Sequence, residues 1–365
     1  MGIKIILLII FFAVMAAVGI YSRRHVTSVD GFVLGGSSVG PWLTAFAYGT
    51  SYFSAVVFVG YAGQFGWKYG IASTWIGIGN ALIGSLLAWV VLGRRTKVMT
   101  QHLGSRTMPD FFGERYKSKS LKITASVIVF VFLIPYTASV YNGLSRLFAM
   151  AFNIPYTWCV VTMAAFTALY VILGGYMATA INDFIQGIIM LIGIVAVIAA
   201  VLNGQGGFMN AIAEMAKIPS DVPLTQGQPG AFTSFFGPDP VNLLGVVLLT
   251  SLGTWGLPQM IGKFYAIKDE KSISTGTIIS TIFAIIISGG CYFLGGFGRL
   301  FDSPEIYDKA GGAVVYDSII PHMLSMLPDL LIGVVVVLVL SASMSTLSSL
   351  VLTSSSTLTL DLLKD

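Results

Sequence analysis

The sequence predicts an all-α protein that crosses a membrane many times, and three observations support this fold class. Of the 365 residues, 55% are hydrophobic and only 10% are charged. The mean hydropathy is +0.85, which excludes an ordinary soluble domain. Apolar segments of about 20 residues, the length that crosses a hydrocarbon core of roughly 30 Å, recur along the chain. We therefore expect a polytopic helical bundle in which residues 1–365 form a single transmembrane domain.

Nine apolar segments are long enough to cross the bilayer as helices. They lie at about 3–22, 40–64, 71–93, 123–150, 156–175, 180–202, 240–262, 273–298 and 328–356. The first could be mistaken for a signal peptide, but its apolar run is longer than the usual core of about 7–15 residues. It also reaches Arg23 and Arg24 without a small-residue cleavage site. We interpret residues 1–30 as a retained first span at the periphery of the bundle.

The basic residues predict the orientation of these spans. If the N-terminus lies outside, 14 of the 20 Lys and Arg residues fall on the inner side: Arg23, Arg24, Arg94, Arg95, Lys97, Arg106, Arg115, Lys117, Lys119, Lys122, Lys263, Lys268, Lys271 and Lys364. The positive-inside rule then predicts a multi-pass protein of the cell (plasma) membrane with an extracellular or periplasmic N-terminus. The net charge of +4 reflects this orientation. We expect the lipid bilayer as a partner and no nucleic acid.

The second and seventh spans carry residues that interrupt a helix. Polar and small residues lie in mid-membrane in both: Gly49, Thr50, Ser51 and Ser54 in one, and Gly253, Gly256 and Pro258 in the other. Irregular backbone at membrane depth survives where it lines a protein cavity. Paired interruptions five spans apart are typical of inverted-repeat transporters with a midplane site. The alternative is two kinked helices that pack through small residues.

Asp183 is the one acidic residue that falls inside a span, since the other 15 of 16 can lie in loops or near span ends. With Thr179 and Gln186 it forms a polar helical face. An ionisable group inside the membrane usually marks an ion or substrate path. The alternative is a carboxylate that caps the helix start after Gly174 and Gly175.

The last span becomes rich in hydroxyl groups, because 11 of the 17 residues at 341–357 are Ser or Thr. Ala342, Ser345, Ser348 and Ser349 recur at intervals of three and four residues and share one helical face. Such a row either lets helices approach closely or offers oxygen ligands to a hard cation such as sodium.

Residues that could form a membrane-embedded catalytic centre are scattered. No histidine lies in mid-span, Asp183 stands alone, and both cysteines, Cys159 and Cys291, lie in apolar spans. An enzyme would need clustered histidines, a nucleophile with its base, or paired carboxylates. We therefore expect a protein that is not an enzyme and has no zinc cluster.

Six short motifs together resemble the sodium:solute symporter family, which includes proline, pantothenate, sugar and sialic acid carriers. They are GTSYFSA at 49–55, TMPDFFGERY at 107–116, GLSRLF at 143–148, GGYMATAINDFIQG at 174–187, WGLPQ at 255–259 and ASMSTLSS at 342–349. They follow the family order over essentially the whole chain. Among the branches of the family, these motifs are most similar to the pantothenate and proline branch.

The resemblance implies a leucine-transporter-like fold of two inverted five-helix repeats. Residues 40–202, spans two to six, would form the first repeat, and residues 240–365, spans seven to nine, part of the second. Family members usually have about thirteen or more spans, so we expect a chain truncated after its ninth span. Its second repeat would lack the last two helices.

The resemblance also implies cation sites. The common sodium site would use the backbone carbonyls of Thr50, Phe53 and Ala342 with the hydroxyls of Ser345 and Thr346. A second sodium site, known in the sialic acid branch, would use four side chains: Asp183, Ser345, Ser348 and Ser349. The alternative for Ser348 and Ser349 is packing or hydrogen bonding to their own helix. Sodium is the expected coupling ion, and we expect no organic cofactor.

The residues that contact the solute in family members correspond less directly to positions in this chain. The candidates are Ser54 and Tyr136, with Ser251, Thr254 and Trp255 at the break in span seven. The proline branch has tryptophans where this chain has Val56 and Thr250, which argues against proline selectivity.

The predicted function is sodium-coupled import of a small organic solute (a vitamin, amino acid, carboxylate or sugar) by alternating access. Two alternatives remain open. One is a nontransporting solute sensor or channel on the same scaffold, and the other is a proton-coupled symporter that depends on Asp183.

Overall fold

A computed structural model describes residues 2–152, 154–308 and 312–363, and the described chain is almost entirely helical. Its α-helices are α1 Gly2–Ser22, α2 Val29–Leu34, α3 Pro41–Tyr52, α4 Ala62–Tyr69, α5 Thr74–Gly79, α6 Arg94–Leu103, α7 Met108–Tyr116, α8 Lys119–Phe152, α9 Tyr156–Gly204, α10 Phe208–Lys217, α11 Pro240–Leu252, α12 Pro258–Ala266, α13 Glu270–Gly295, α14 Tyr316–Ser325 and α15 Asp329–Ser356. Wider π-helical turns occupy Val56–Tyr61, Asn80–Leu87, Trp89–Gly93 and Thr357–Leu363. The all-helical fold class is thus confirmed for the described residues.

Six helical runs are long and apolar enough to cross a membrane, and a seventh is bent by 53° between Gly256 and Pro258. The six are Gly2–Ser22, Val56–Leu103, Lys119–Phe152, Tyr156–Gly204, Glu270–Gly295 and Asp329–Leu363. Two of them, of 48 and 49 residues, are far longer than one crossing requires. Each contains a glycine at positive φ, where the chain turns back.

Gly175 reverses the chain inside α9. Its φ of 53° and ψ of −145° leave the helical region, and a Cβ there would lie 2.7 Å from the Phe32 carbonyl oxygen. Before it, Phe166 packs on Phe12 of α1 with ring centroids 4.5 Å apart. After it, Gln186 reaches the sulfur of Met15, one turn along α1, at 3.1 Å. A straight helix would separate residues 166 and 186 by about 30 Å, so α9 contains two antiparallel spans.

The turn after α4 reverses the chain in the same way, at Gly70 with φ 62°. Both flanking helices then cross α13 through glycines. A Cβ on Gly66 would lie 1.9 Å from the Gly295 carbonyl oxygen, and one on Gly77 2.6 Å from the Gly289 backbone. Small residues thus allow close backbone contact, as is common between membrane helices. With both reversals, and with each broken pair of helices counted as one span, every one of the nine predicted segments overlaps a helical run of the described residues.

Helix α15 forms the centre of the bundle. In the most apolar 18 residues of the run that contains α15, 78% of the residues are buried. The corresponding fraction in α8 is 17%. It contacts α1, α3, α8, α9 and α12. Residues 341–350 of α15, which begin the hydroxyl-rich segment, are all buried, whereas Ser355 near the end of the helix is exposed.

Ion pairs at the two ends of the bundle join residues that the basic-residue rule groups on the same side. The outer pairs are Lys4–Asp329 at 2.9 Å and Arg299–Asp221 at 2.6 Å, and the inner pairs are Arg94–Glu270 and Arg106–Asp30. Arg106 sits in a loop, and its bond to Asp30 raises the pKa of the guanidinium. The two ends are thus distinct, while their absolute orientation stays a prediction.

Candidate cation and solute sites

The break in span two exposes backbone carbonyls to α15. Helix α3 ends at Tyr52, Phe53 has non-helical angles (φ −106°, ψ 87°), and helical turns resume at Val56. The last carbonyls of a helix lack intrahelical partners. The Thr50 carbonyl accepts hydrogen bonds from the hydroxyls of Ser345 at 3.2 Å and Thr346 at 3.4 Å.

The same two hydroxyls approach a second carbonyl on α15. Ser345 and Thr346 lie 3.2 and 3.0 Å from the oxygen of Ala342, and all three residues are buried. Four of the five oxygens predicted for the common sodium site therefore converge. They are neutral and can turn lone pairs toward a cation, as hard cations require.

Phe53, the fifth predicted ligand, lies at the end of α3 beside this cluster. Its ring, Ser54 and Ala342 line a small apolar cavity that Met190 and Cys291 close. The described contacts include no hydrogen bond from Ser345 or Thr346 to the Phe53 carbonyl.

A residue that the motifs did not identify lies beside the predicted second sodium site. Lys263 of α12 places its ammonium 3.7 Å from Oδ2 of Asp183. It donates a hydrogen bond to Oγ of Ser349 at 2.9 Å and lies 5.2 Å from the centre of the Tyr176 ring. Asp183 is fully buried and Lys263 is 2% exposed, so the pair is an ion pair inside the bundle.

The remaining serines of this set divide between two roles. Ser348 donates to the carbonyl of Ser345 at 3.0 Å, which is bonding to its own helix. Ser349 also lies 2.9 Å from the hydroxyl of Ser51, the residue after Thr50. Ser349 thus links the buried ion pair to the end of α3 that carries the first site.

A polar cavity leads from this pair toward the end of the bundle predicted to face the cytoplasm. Lys263, Ser349, Tyr176 and Gln259 line its inner part, and it extends to Arg106 in the loop before α7. In the described chain the Tyr176 hydroxyl and both side-chain amide atoms of Gln259 are buried without a hydrogen-bond partner. Buried polar groups normally have partners, so these atoms suit water or a passing polar molecule.

The candidates in span seven contact span three. Ser251 donates to Oδ1 of Asn80 at 3.1 Å, Thr254 donates to the Ser251 carbonyl at 2.9 Å, and Trp255 donates to the Ile83 carbonyl at 3.0 Å. These three candidates cluster at the break between α11 and α12.

Asn80 is the centre of a buried polar network that the motifs also missed. Its Oδ1 accepts a hydrogen bond from Thr250 at 2.9 Å, and its Nδ2 donates to Ser288 at 3.3 Å. Tyr52, the last residue of α3, donates to the Thr250 carbonyl at 3.0 Å. The network therefore joins both helix breaks through spans three and eight.

Ser54 and Tyr136 lie apart from that network. Ser54 accepts from the Val56 amide at 3.2 Å, so its side chain supports the resumed helix of span two. Tyr136 is half-buried on α8. No described hydrogen bond joins either residue to the cluster at the span-seven break.

Two broken spans that face a central hydroxyl-rich helix are typical of ion-coupled secondary transporters with discontinuous helices. Residues 32–365 match the family model described as the sodium:solute symporter family. The chain belongs to this family and is a sodium-coupled solute symporter, a multi-pass membrane protein whose coupling ion is sodium. The predicted family and function class are confirmed.

Relatives and a solved structure agree with this assignment. The chain is 32% identical to Sodium/proline symporter 2 of Staphylococcus saprophyticus over 98% of its length and 68% of that protein. It is 30% identical to a sodium/proline symporter of Staphylococcus aureus with the same coverage. A Na+-coupled sialic acid symporter, solved in a substrate-bound outward-open state, matches with a TM-score of 0.80 at 16% identity, over 99% of this chain and 73% of that one. These relatives are transporters rather than enzymes.

Proposed function

We propose that one sodium ion binds between the end of α3 and α15 and drives import of a small organic solute by alternating access. Its ligands are the carbonyls of Thr50, Phe53 and Ala342 and the hydroxyls of Ser345 and Thr346. The observation that carries the proposal is that each of the two hydroxyls lies 3.0–3.4 Å from the carbonyl oxygens of both Thr50 and Ala342. Neutral oxygens on a broken helix and a facing helix bind a hard cation weakly enough to release it.

Sodium at this position would hold α15 against α3 and favour the state that accepts solute from outside. Rocking of the bundle would then open the polar cavity beside Lys263 and Ser349 to the cytoplasm. Coupling requires that sodium and solute prefer the same state and raise each other's affinity by the same factor. The orientation with an external N-terminus, in the plasma membrane, belongs to this proposal.

The positions of the breaks support the proposed repeat organisation. Residues 40–202 contain one broken span, α3 with its continuation from Val56, and residues 240–365 contain the other, α11 with α12. One interruption in each unit is the pattern of inverted repeats whose interface holds the site.

The solute would contact the break in span seven, where Ser251, Thr254 and Trp255 lie. The buried groups here are hydroxyls, an amide and aromatic rings, which favours a neutral or singly charged solute. Proline is the first solute to test because the relatives are named for it. Val56 and Thr250, in place of the proline branch's tryptophans, argue for a different preferred solute.

Uptake into proteoliposomes tests the proposal. Under an inward sodium gradient, labelled proline, pantothenate, a sugar and sialic acid are compared with choline controls. For the accepted solute, Thr346→Ala should raise the sodium concentration for half-maximal uptake about 10- to 100-fold, since losing one oxygen ligand costs on the order of 1–3 kcal/mol.

Ser343→Ala is the matched control, because its hydroxyl is buried on the same helix but donates to the Val339 carbonyl. It should leave the sodium dependence unchanged. Uptake that does not vary across a sodium titration would exclude sodium coupling at this site.

A further inference from the structure

The buried ion pair between α9 and α12 bears on how many sodium ions the transporter couples. We propose that the ammonium of Lys263 holds the cation position formed by Asp183 and Ser349, so that the protein binds a single sodium ion per cycle. The inference rests on the proposed sodium site at Thr50 and Thr346.

The geometry places the ammonium beside Asp183 and Ser349, two of the four residues predicted to bind a second sodium. Lys263 Nζ lies 2.9 Å from the Ser349 hydroxyl and 3.7 Å from the Asp183 carboxylate, with the Tyr176 ring 5.2 Å away. An ammonium offers three donors and an attraction to the ring face. A sodium ion bound to the same two oxygens would lie a few ångströms from Nζ, where two cations repel strongly in a site of low dielectric.

The balance of charge leads to the same conclusion. Asp183 brings one negative charge into the bundle, and both of its carboxylate oxygens are buried without a hydrogen bond among the described residues. Lys263, 2% exposed, brings one positive charge. A buried charge is tolerated when it is paired. The single carboxylate can therefore neutralise the lysine or a sodium ion, but not both.

The pair is also connected to the first site. Ser349 hydrogen-bonds to Lys263 and lies 2.9 Å from Ser51, which follows the Thr50 carbonyl on α3. Lys263 in this way helps hold α12, α15 and the end of α3 together on the inner side of the site. A tethered cation would supply the contact between these helices that a second, exchangeable sodium supplies only when bound.

The test counts sodium ions bound to the purified protein with radioactive sodium alone, without a solute. The wild type should bind one ion per chain. Lys263→Met should bind two, because the freed carboxylate accepts the second ion. The double variant Lys263→Met with Asp183→Asn should return to one, since no charge then remains at this position.

Lys97→Met is the matched control. Lys97 is also a buried lysine, but its ammonium donates to the Tyr265 carbonyl at 3.0 Å, and its loss should leave the count at one. Size-exclusion elution and thermal unfolding establish that each variant is folded.

Two ions in the wild type, falling to one in the double variant, would place sodium at Asp183 and overturn the inference. A folded Lys263→Met protein that still binds one ion would overturn it as well. The wild-type count alone decides between one and two if Lys263→Met does not fold. If the wild type binds one ion and Thr346→Ala abolishes this binding, the proposed sodium site at Thr50 is supported whatever the Lys263 variants show. If the wild type binds no sodium, both proposals are wrong.

Discussion

Single atoms at the end of α3 would form the proposed sodium site. The Thr50 carbonyl is available because the helix stops two residues later, and Ser345 and Thr346 approach it from one turn of α15. Gly49 lets α13 pack closely against the same end of α3, since a Cβ there would lie 2.4 Å from the Phe283 ring. The hydroxyls matter through their position on a central helix, because other hydroxyls of α15, such as Ser343, bond only to their own backbone.

The buried charges of Asp183 and Lys263 lead to a prediction about the stability of the protein. Lys263→Met leaves a buried carboxylate without its partner, which typically costs about 3–5 kcal/mol. Adding Asp183→Asn removes the remaining charge and should recover most of that loss. Thermal unfolding of purified protein in choline buffer measures both. A double variant no more stable than Lys263→Met would show that the two charges do not stabilise each other.

Glycines control how closely whole helices approach. Helices α4 and α13 cross at Gly66 and Gly295. At each glycine, the backbone of the facing helix occupies the space that a side chain would need. The crossing fixes the second half of span two, and with it the direction of the break that carries Phe53 and Ser54.

Gly66→Ala should therefore destabilise the protein, although alanine favours a helix over glycine by about 0.5–1 kcal/mol. The added methyl must push α4 and α13 apart, and overpacking of this kind typically costs about 1–3 kcal/mol. Gly245→Ala in α11 is the control, since its Cβ would meet no atom within 4 Å. Equal unfolding temperatures for the two variants would contradict the close crossing.

The whole molecule has two ends that its ion pairs keep distinct, and the orientation of those ends can be measured. Both native cysteines are buried, so an introduced thiol is labelled selectively. Lys217→Cys, at the exposed last residue of α10, should react with a membrane-impermeant maleimide on intact cells. Lys268→Cys, exposed between α12 and α13, should react only after permeabilisation. The reverse pattern would invert the proposed topology.

Much of this arrangement was predictable from the sequence. Apolar length and the two groups of Gly, Ser and Pro predicted the spans and the breaks, because a bilayer imposes a segment length and requires satisfied backbone. The motifs identified the residues that converge at Thr50. Local pattern could not reveal Asn80, whose three hydrogen-bond partners lie on α11 and α13, 170 to 208 residues away.

The class of the protein can be derived from its amino-acid sequence: a helical membrane protein with two broken spans and a hydroxyl-rich helix, within the sodium:solute symporter family. These properties depend on hydrophobicity and on contiguous motifs, which act through local backbone physics. Which charges lie next to each other depends on how the helices pack. Sequence alone counted Lys263 among the basic residues at an inner span end and left Asp183 alone. Packing of α12 against α9 and α15 brings the two together inside the bundle, because the energy of a buried charge depends on its nearest neighbours in space.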